Sequence, residues 1–453
     1  MRRSFKILLL CAIALFIFHF SLFTCAHAQT LTLDSCLALA QRNNYEIRNS
    51  RLEIEKSQAL KQQAYTKFFP QLSVRGIGYY AANPLIHFGI EDIQSSDMRE
   101  LLQSIYDLVE DESDIRKEVD LMKRGASGSV VAVQPLFAGG RIVNGNKLAN
   151  LGIEASQLQA DIKERDILEE IESSFYLVVG LQEKVATVEA ALSLIDSLDR
   201  VVNMAFTNGL VTRSDILQIE LKRNEILANK QKLTSGMRLS RRLLCQQIGI
   251  DYNDSINFGN ISDYIEKPVL YLFSDHGDTL RPESRLLQLG ITAEELRKKI
   301  TLGEALPQLA IVGAAYYGNI IKDDPSANAV ALLTLSIPIT DWLETRHKVQ
   351  QHNIAINQAC IMQDHYSQMM SLEEEKAFSD MMDAWTMLRA DSTALALARE
   401  NYRLSSINYQ AGNVTLSEVL QAHTLVLQAQ NALTDHRTSY IVSRRRLSDL
   451  KSR

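Results

Sequence analysis

Few residues in this 453-residue chain have the type and spacing that chemistry requires. His347 and His352 could share a metal or pass a proton from one helix face, but five positions turn a helix by about 140°, so they read as separate, solvated surface histidines. Glu373 to Glu375 could hold an acid/base pair and reads instead as a wet helix face. Gly140-Arg-Ile-Val-Asn-Gly145 begins like a phosphate loop, yet Asn146 stands where Lys must follow the second glycine. Cys36, Cys245 and Cys360 are odd in number and contain no CxxC, which reads as buried thiols and not as a disulfide or metal framework. The chain is therefore read as no enzyme, with no catalytic residue, no metal site and no cofactor, and the question becomes what its long elements build.

The N-terminus sets the compartment. Arg2, Arg3 and Lys6 precede an apolar run from Ile7 to Phe23, and Ala26-His27-Ala28 supplies the small-x-small pattern of a cleavage site, so residues 1–28 read as a signal peptide. A retained anchor is the alternative. Arg2-Arg3 is a weak twin-arginine signal, and Leu22-Phe23-Thr24-Cys25 is a poor lipid-attachment match at Cys25. Beyond the leader no run reaches about eighteen apolar residues, so the mature chain is soluble or meets a membrane only as strands. Losing three basic residues takes the formal net charge from −6 to −9, which argues against nucleic acid as a partner.

The chain is written twice. Pro135 and Pro338, Gly209 and Gly412, and Ser240-Arg241-Arg242 and Ser443-Arg444-Arg445 all stand 203 positions apart. A register held over roughly 110 residues marks structural duplicates. Phe68 to Tyr80 (FFPQLSVRGIGYY) and Ala305 to Tyr317 (ALPQLAIVGAAYY) are instead 237 apart, and the excess of 34 is an insertion placed near Ile90 to Arg124. That segment is amphipathic, with Met98, Leu101, Leu102, Ile105, Leu108 and Val109 at helical spacing, and it carries eleven Asp or Glu against five Lys or Arg.

Each half alternates two periods. Lys147 to Phe206 and Leu343 to Tyr409 lack proline and keep apolar residues at helical spacing, so each predicts a helix of roughly 90 to 100 Å, of coiled-coil kind. Gly209 and Gly412 end these helices, and Thr212 and Thr415 beyond them can cap a second helix running back. Upstream, Leu333, Leu335 and Ile337 alternate with Thr334 and Ser336, a strand with one apolar face. Gln308 to Val312 and Val130 to Gln134 are strands whose apolar residues fall on both faces. Four strands cannot close a barrel, and lipid does not tolerate open edges, so the chain oligomerises or its strands lie outside a membrane.

Signal, duplication, Pro-Gln-Leu strand starts, the PLFAGG turn at Pro135 to Gly140, and the tips NGLVTRSD and AGNVTLSE together resemble the TolC-type outer-membrane efflux proteins over essentially the whole mature chain. The resemblance implies a mainly α fold with membrane β-strands: a homotrimer forming a twelve-stranded β-barrel in outer-membrane lipid, continued by an α-helical tunnel through the periplasm. It divides the chain into a first repeat, 29–250, an equatorial linker, 251–281, and a second repeat, 282–453. It implies a passive outer-membrane conduit for efflux or type I secretion, served by a periplasmic adaptor protein and an inner-membrane transporter. The implied periplasmic gate is Ser214, Asp215, Tyr409, Val414, Glu418 and Gln421, and the implied adaptor contacts are Gly209, Leu210, Thr212, Gly412, Asn413 and Thr415. Threefold symmetry would set Asp215 and Glu418 in carboxylate rings; the alternative role is to complement helix N-termini. Val414 and Gln421 depart from the family's basic latch and second acidic ring, so closure is expected from helix packing and Tyr409. The competing functional class is a coiled-coil adaptor or structural protein with no pore.

Overall fold

The computed structural model describes residues 30–83, 86–89, 93–108, 118–121, 124–254, 256–259, 265, 267–268, 281–319 and 325–451. The signal peptide, Cys25, most of the 251–281 linker and parts of the 90–124 insertion lie outside these residues. The chain forms two compact units: Met1–Glu55 with Ala155–Gln288 and Ile361–Arg453, and Lys56–Glu154 with Leu289–Cys360.

Short strand β1 (Thr30–Leu31) leads to helix α1 (Leu33–Asn43), capped by Thr32, whose hydroxyl accepts from Ser35 N–H. Asn44 breaks the chain direction and starts α2 (Tyr45–Tyr65), its Oδ1 accepting from the N–H groups of Glu46 and Ile47 at 2.8 and 3.1 Å. Next come β2 (Gln71–Tyr80), β3 (Ile86–Gly89), α3 (Ser96–Leu108), β4 (Glu118–Leu121) and β5 (Arg124–Ala138). The insertion thus holds more than a helix, because β4 pairs antiparallel with β3. Helices α4 (Arg141–Thr207) and α5 (Arg213–Ile248) follow, then β6 (Asn257–Phe258), which pairs parallel with β1. The second half contains α6 (Pro282–Glu304), β7 (Gln308–Gly318), β8 (Ser326–Ser336), α7 (Asp341–Gln410) and α8 (Leu416–Lys451).

In the second unit β2, β5, β7 and β8 form one antiparallel sheet in that order. Register decides the faces that local sequence leaves ambiguous, since directly paired residues share a side. The row Val74, Val130, Ala315, Ala329 crosses all four strands on one side, with Leu72, Ile311, Leu333 and Leu335 beside it. The row Arg75, Ser129, Tyr316, Asn328 crosses on the other, where Asn328 Nδ2 donates to the Tyr316 hydroxyl at 3.3 Å. One face is hydrocarbon and the other is mixed polar. Large residues on the apolar face stand in the open, Val74 at 80% and Leu333 at 67% exposure, which a soluble sheet would not permit. Aromatics flank it: Tyr80 and Tyr317 at one end, Phe68, Phe69 and Trp342 at the other, the last donating Nε1–H to Ala305 O at 2.9 Å. Among the described residues the outer edges of β2 and β8 pair with no strand.

The turn out of β5 needs glycine. Gly139 has φ +62°, and a Cβ there would lie 2.1 Å from the Gly303 carbonyl oxygen.

In the first unit three apolar clusters hold the helices. One joins α1, α2, α4, α5 and β6 through Cys36, Ile47, Ile171, Phe175, Leu244 and Phe258. A second joins both hairpins, with Val188, Ile195 and Val202 of α4, Ile216, Ile219 and Ile226 of α5, and Leu416 and Leu420 of α8. The third packs α7 on α8 through Met381, Leu388, Tyr440 and Leu447. Cys36 and Cys245 are buried, and burial, then the neighbouring Cys245, pushes the Cys36 thiol up to about 12, so it is inert. Cys360 corrects the expectation of three buried thiols, because it is exposed.

The sheet faces make a test. Val130→Arg places charge on the central apolar row and is expected to cost about 2 to 4 kcal/mol and to block assembly, read as loss of a heat-modifiable, protease-resistant species. Leu335→Arg, near the strand end, costs less. Ser129→Arg, on the polar face, is tolerated; equal damage from Val130→Arg and Ser129→Arg would refute the face assignment.

Candidate functional site

The two hairpin tips are built alike from local hydrogen bonds. At the first, Gly209 takes φ +74°, Leu210 N–H reaches back to Ala205 O, and Gly209 N–H to Phe206 O, both at 2.9 Å. At the second, Gly412 takes φ +78°, Asn413 N–H donates to Asn408 O and Gly412 N–H to Tyr409 O, again at 2.9 Å. This is the pair of bonds that terminates a helix on a left-handed residue, and it leaves no room for a side chain that resists positive φ. Two residues after Leu210 and Asn413 the next helices start on threonine caps.

The caps engage both carboxylates. Asp215 Oδ2 accepts from Thr212 N–H at 2.8 Å and from its hydroxyl at 2.7 Å. Glu418 Oε1 accepts from Thr415 N–H at 3.3 Å and its hydroxyl at 3.0 Å, while Glu418 N–H lies 3.4 Å from Thr415 Oγ1. These are capping boxes, with a negative charge in the first turn where the helix dipole favours it. Tyr409, in the last turn of α7, packs against the cluster joining the hairpins, and burial, then the Asp215 charge, raises its phenol above the ordinary range. The structure thus brings Asp215 and Tyr409 together across the hairpins. Ser214 stays on its own helix, 3.5 Å from Gln218 Nε2; Val414 is half-buried, and Glu418 and Gln421 are exposed. Leu210, 77% exposed, is the most prominent apolar side chain of the first tip.

Several pairs that hold the helices were not legible as pairs. Arg223 Nε meets Asp196 at 2.7 Å, Lys230 meets Glu189 at 2.9 Å, and Arg437 meets Glu183. Glu373 and Glu374 are not merely a wet face, because buried Arg281 bonds Glu374 at 2.5 Å and Arg446 reaches Glu373 at 3.3 Å. His352 also departs from the solvated reading: Glu294 Oε2 lies 3.2 Å from its Nδ1 and Thr301 Oγ1 3.2 Å from its Nε2. Carboxylate, imidazole and hydroxyl in line suggest a relay, but Thr301 sits inside α6, where neighbouring N–H groups are spent on the helix and cannot form an oxyanion hole. The three tether α6 to α7. Near the tips, His423 is buried with no sequence signal to mark it beyond an apolar helix face.

The duplicated tips and the apolar-faced sheet can now be set beside known proteins. Residues 284–451 match the family model described as outer membrane efflux protein. The match falls on the second half of the chain. No curated protein sequence matches it. Among solved structures, this chain shares its fold with CusC (TM-score 0.73, 14% identity, covering 92% of this chain and 91% of that one) and with the outer membrane protein VceC from Vibrio cholerae (0.70, 14%, 92% and 95%). The Campylobacter jejuni CmeC outer membrane channel is similarly placed (0.70, 14%, 91% and 83%). The fold is thus the one these outer-membrane proteins share.

The caps are testable in isolation. Thr212→Ala and Thr415→Ala should each cost about 0.5 to 2 kcal/mol and raise amide exchange at the start of α5 or α8 alone. Unchanged exchange at both tips would mean that the capping boxes do not hold the ends.

Proposed function

We propose that this protein is an outer-membrane efflux channel that works as a homotrimer, three four-stranded sheets closing one twelve-stranded barrel in outer-membrane lipid, with the helical hairpins continuing the conduit through the periplasm. The observation that carries this reading is the sheet: one apolar and exposed face, one mixed polar face, and two edges that pair with no strand among the described residues. Lipid leaves backbone N–H and C=O groups no water, so such edges must meet other copies. The polar face, with Arg75, Ser127, Ser129 and Asn328, then lines the lumen. Selection of the exported substrate falls to an inner-membrane transporter joined through a periplasmic adaptor.

At the periplasmic end, the hairpin tips form the entrance. Gly209, Leu210, Thr212, Gly412, Asn413 and Thr415 present the surface that an adaptor meets. Ser214, Asp215, Tyr409, Val414, Glu418 and Gln421 line the closure, where Tyr409 and the cluster beneath it provide the packing. Asp215 and Glu418 carry two roles at once, since a carboxylate that caps a helix still presents its charge to a narrowing and favours cations there.

Two measurements follow. Cell fractionation is expected to place the protein in the outer membrane, and a soluble elongated periplasmic species would instead favour an adaptor. In planar bilayers, Asp215→Asn with Glu418→Gln should lower cation selectivity and block by trivalent cations. Unchanged selectivity would leave these carboxylates with capping alone.

A further inference from the structure

His423 lies on α8, eight residues beyond the Thr415 cap, and only 4% of it is exposed. Its Nδ1 is buried and meets no protein acceptor or donor. The ring stacks against Tyr402 of α7 with centroids 5.6 Å apart. Across the seam, α5 supplies Lys222, paired with Glu225 of its own helix at 2.9 Å. On α4, Asp196 is taken by Arg223 of α5, Glu189 by Lys230, and Asp199 accepts from Asn203; on α7, Arg403 pairs with Glu400 and Arg399 donates to Gln430 of α8. Toward the tip, Asp215 faces Tyr409 and Thr212, and Glu418 faces Thr415. An imidazole therefore sits in the apolar seam that joins the two hairpins, opposite a cation whose carboxylate, Glu225, is already paired with it, and its buried Nδ1 meets no acceptor.

We propose that His423 makes closure of the entrance sensitive to acid: protonation places a second positive charge beside Lys222 inside the seam between α5 and α8, and the tips part. The proposal rests on the conduit reading of the tips given above. Burying an uncompensated charge is costly, so the packed arrangement holds the neutral ring. Burial first, and then the Lys222 charge, lowers the imidazolium from 6.5 to about 4. The sign follows from linkage. Loosened tips hydrate the ring and restore its ordinary value, so they bind the proton more tightly than closed tips do. Closure is fully favoured above 6.5, weakens as pH falls from there toward 4, and changes no further below that. Between pH 7 and pH 5 the open population should rise on the order of tenfold.

The test is open probability of the full chain in planar bilayers, stepped from pH 7.5 to pH 5 on the periplasmic side. Wild type should open about tenfold more often at the acid end. His423→Leu should lose the response, and His423→Gln, which keeps a polar side chain should the leucine variant fail to assemble, should lose it as well. Lys222→Gln should shrink the response without moving its onset, because the closed state then tolerates the charged ring better and differs less from the open one. Wild-type conduction that ignores pH, or a response that survives in both His423 variants, overturns the switch while leaving the conduit intact. No conduction at any pH, even with Tyr409→Ala at the closure, overturns the conduit reading and the switch with it.

Discussion

Backbone hydrogen bonding in hydrocarbon is the constraint on which everything else depends. Four antiparallel strands satisfy one another internally but leave the outer edges of β2 and β8 with rows of donors and acceptors. In water those rows would be solvated; in lipid each unsatisfied group costs several kcal/mol. The sheet is therefore an incomplete object whose apolar face needs lipid and whose edges need further strands. The alternation of Val74, Val130, Ala315 and Ala329 with Arg75, Ser129, Tyr316 and Asn328 only has meaning in a wall that separates hydrocarbon from water.

The helical unit solves a different problem. Helices of 67 and 70 residues have few turns in which to fix their ends, so stability comes from the side-chain seams along them. Each tip is fixed by a left-handed glycine and a threonine cap, and beneath the tips a single cluster binds α4, α5 and α8. That cluster is apolar, flanked by the Arg223–Asp196 and Lys230–Glu189 pairs, and His423 is buried in its vicinity. The Asp215 and Glu418 side chains belong to the local fold, each held by its threonine cap.

Much of this was legible in the sequence because it is periodic. An offset of 203 connects Gly209 with Gly412 and Thr212 with Thr415, and the structure builds both tips from the same hydrogen bonds. Strand faces were legible only where alternation is strict, as at Leu333 and Leu335; Val130 to Val133 are apolar throughout, and only pairing with β2 and β7 assigns their sides. Long-range ion pairs were not legible. Nothing near Glu373 announces Arg281 or Arg446, and nothing near His352 announces Glu294 and Thr301, since these partners are brought together by helix packing and not by spacing. Cys360 was misjudged for the same reason, as helical position alone does not say which face a neighbour covers.

The central claim is that the sheet is completed by two further copies. Native mass spectrometry of the detergent-extracted protein measures this directly. The account predicts a particle of three chains that survives mild activation, and a stable particle of one or two chains, with the β2 and β8 edges left in lipid, would contradict it.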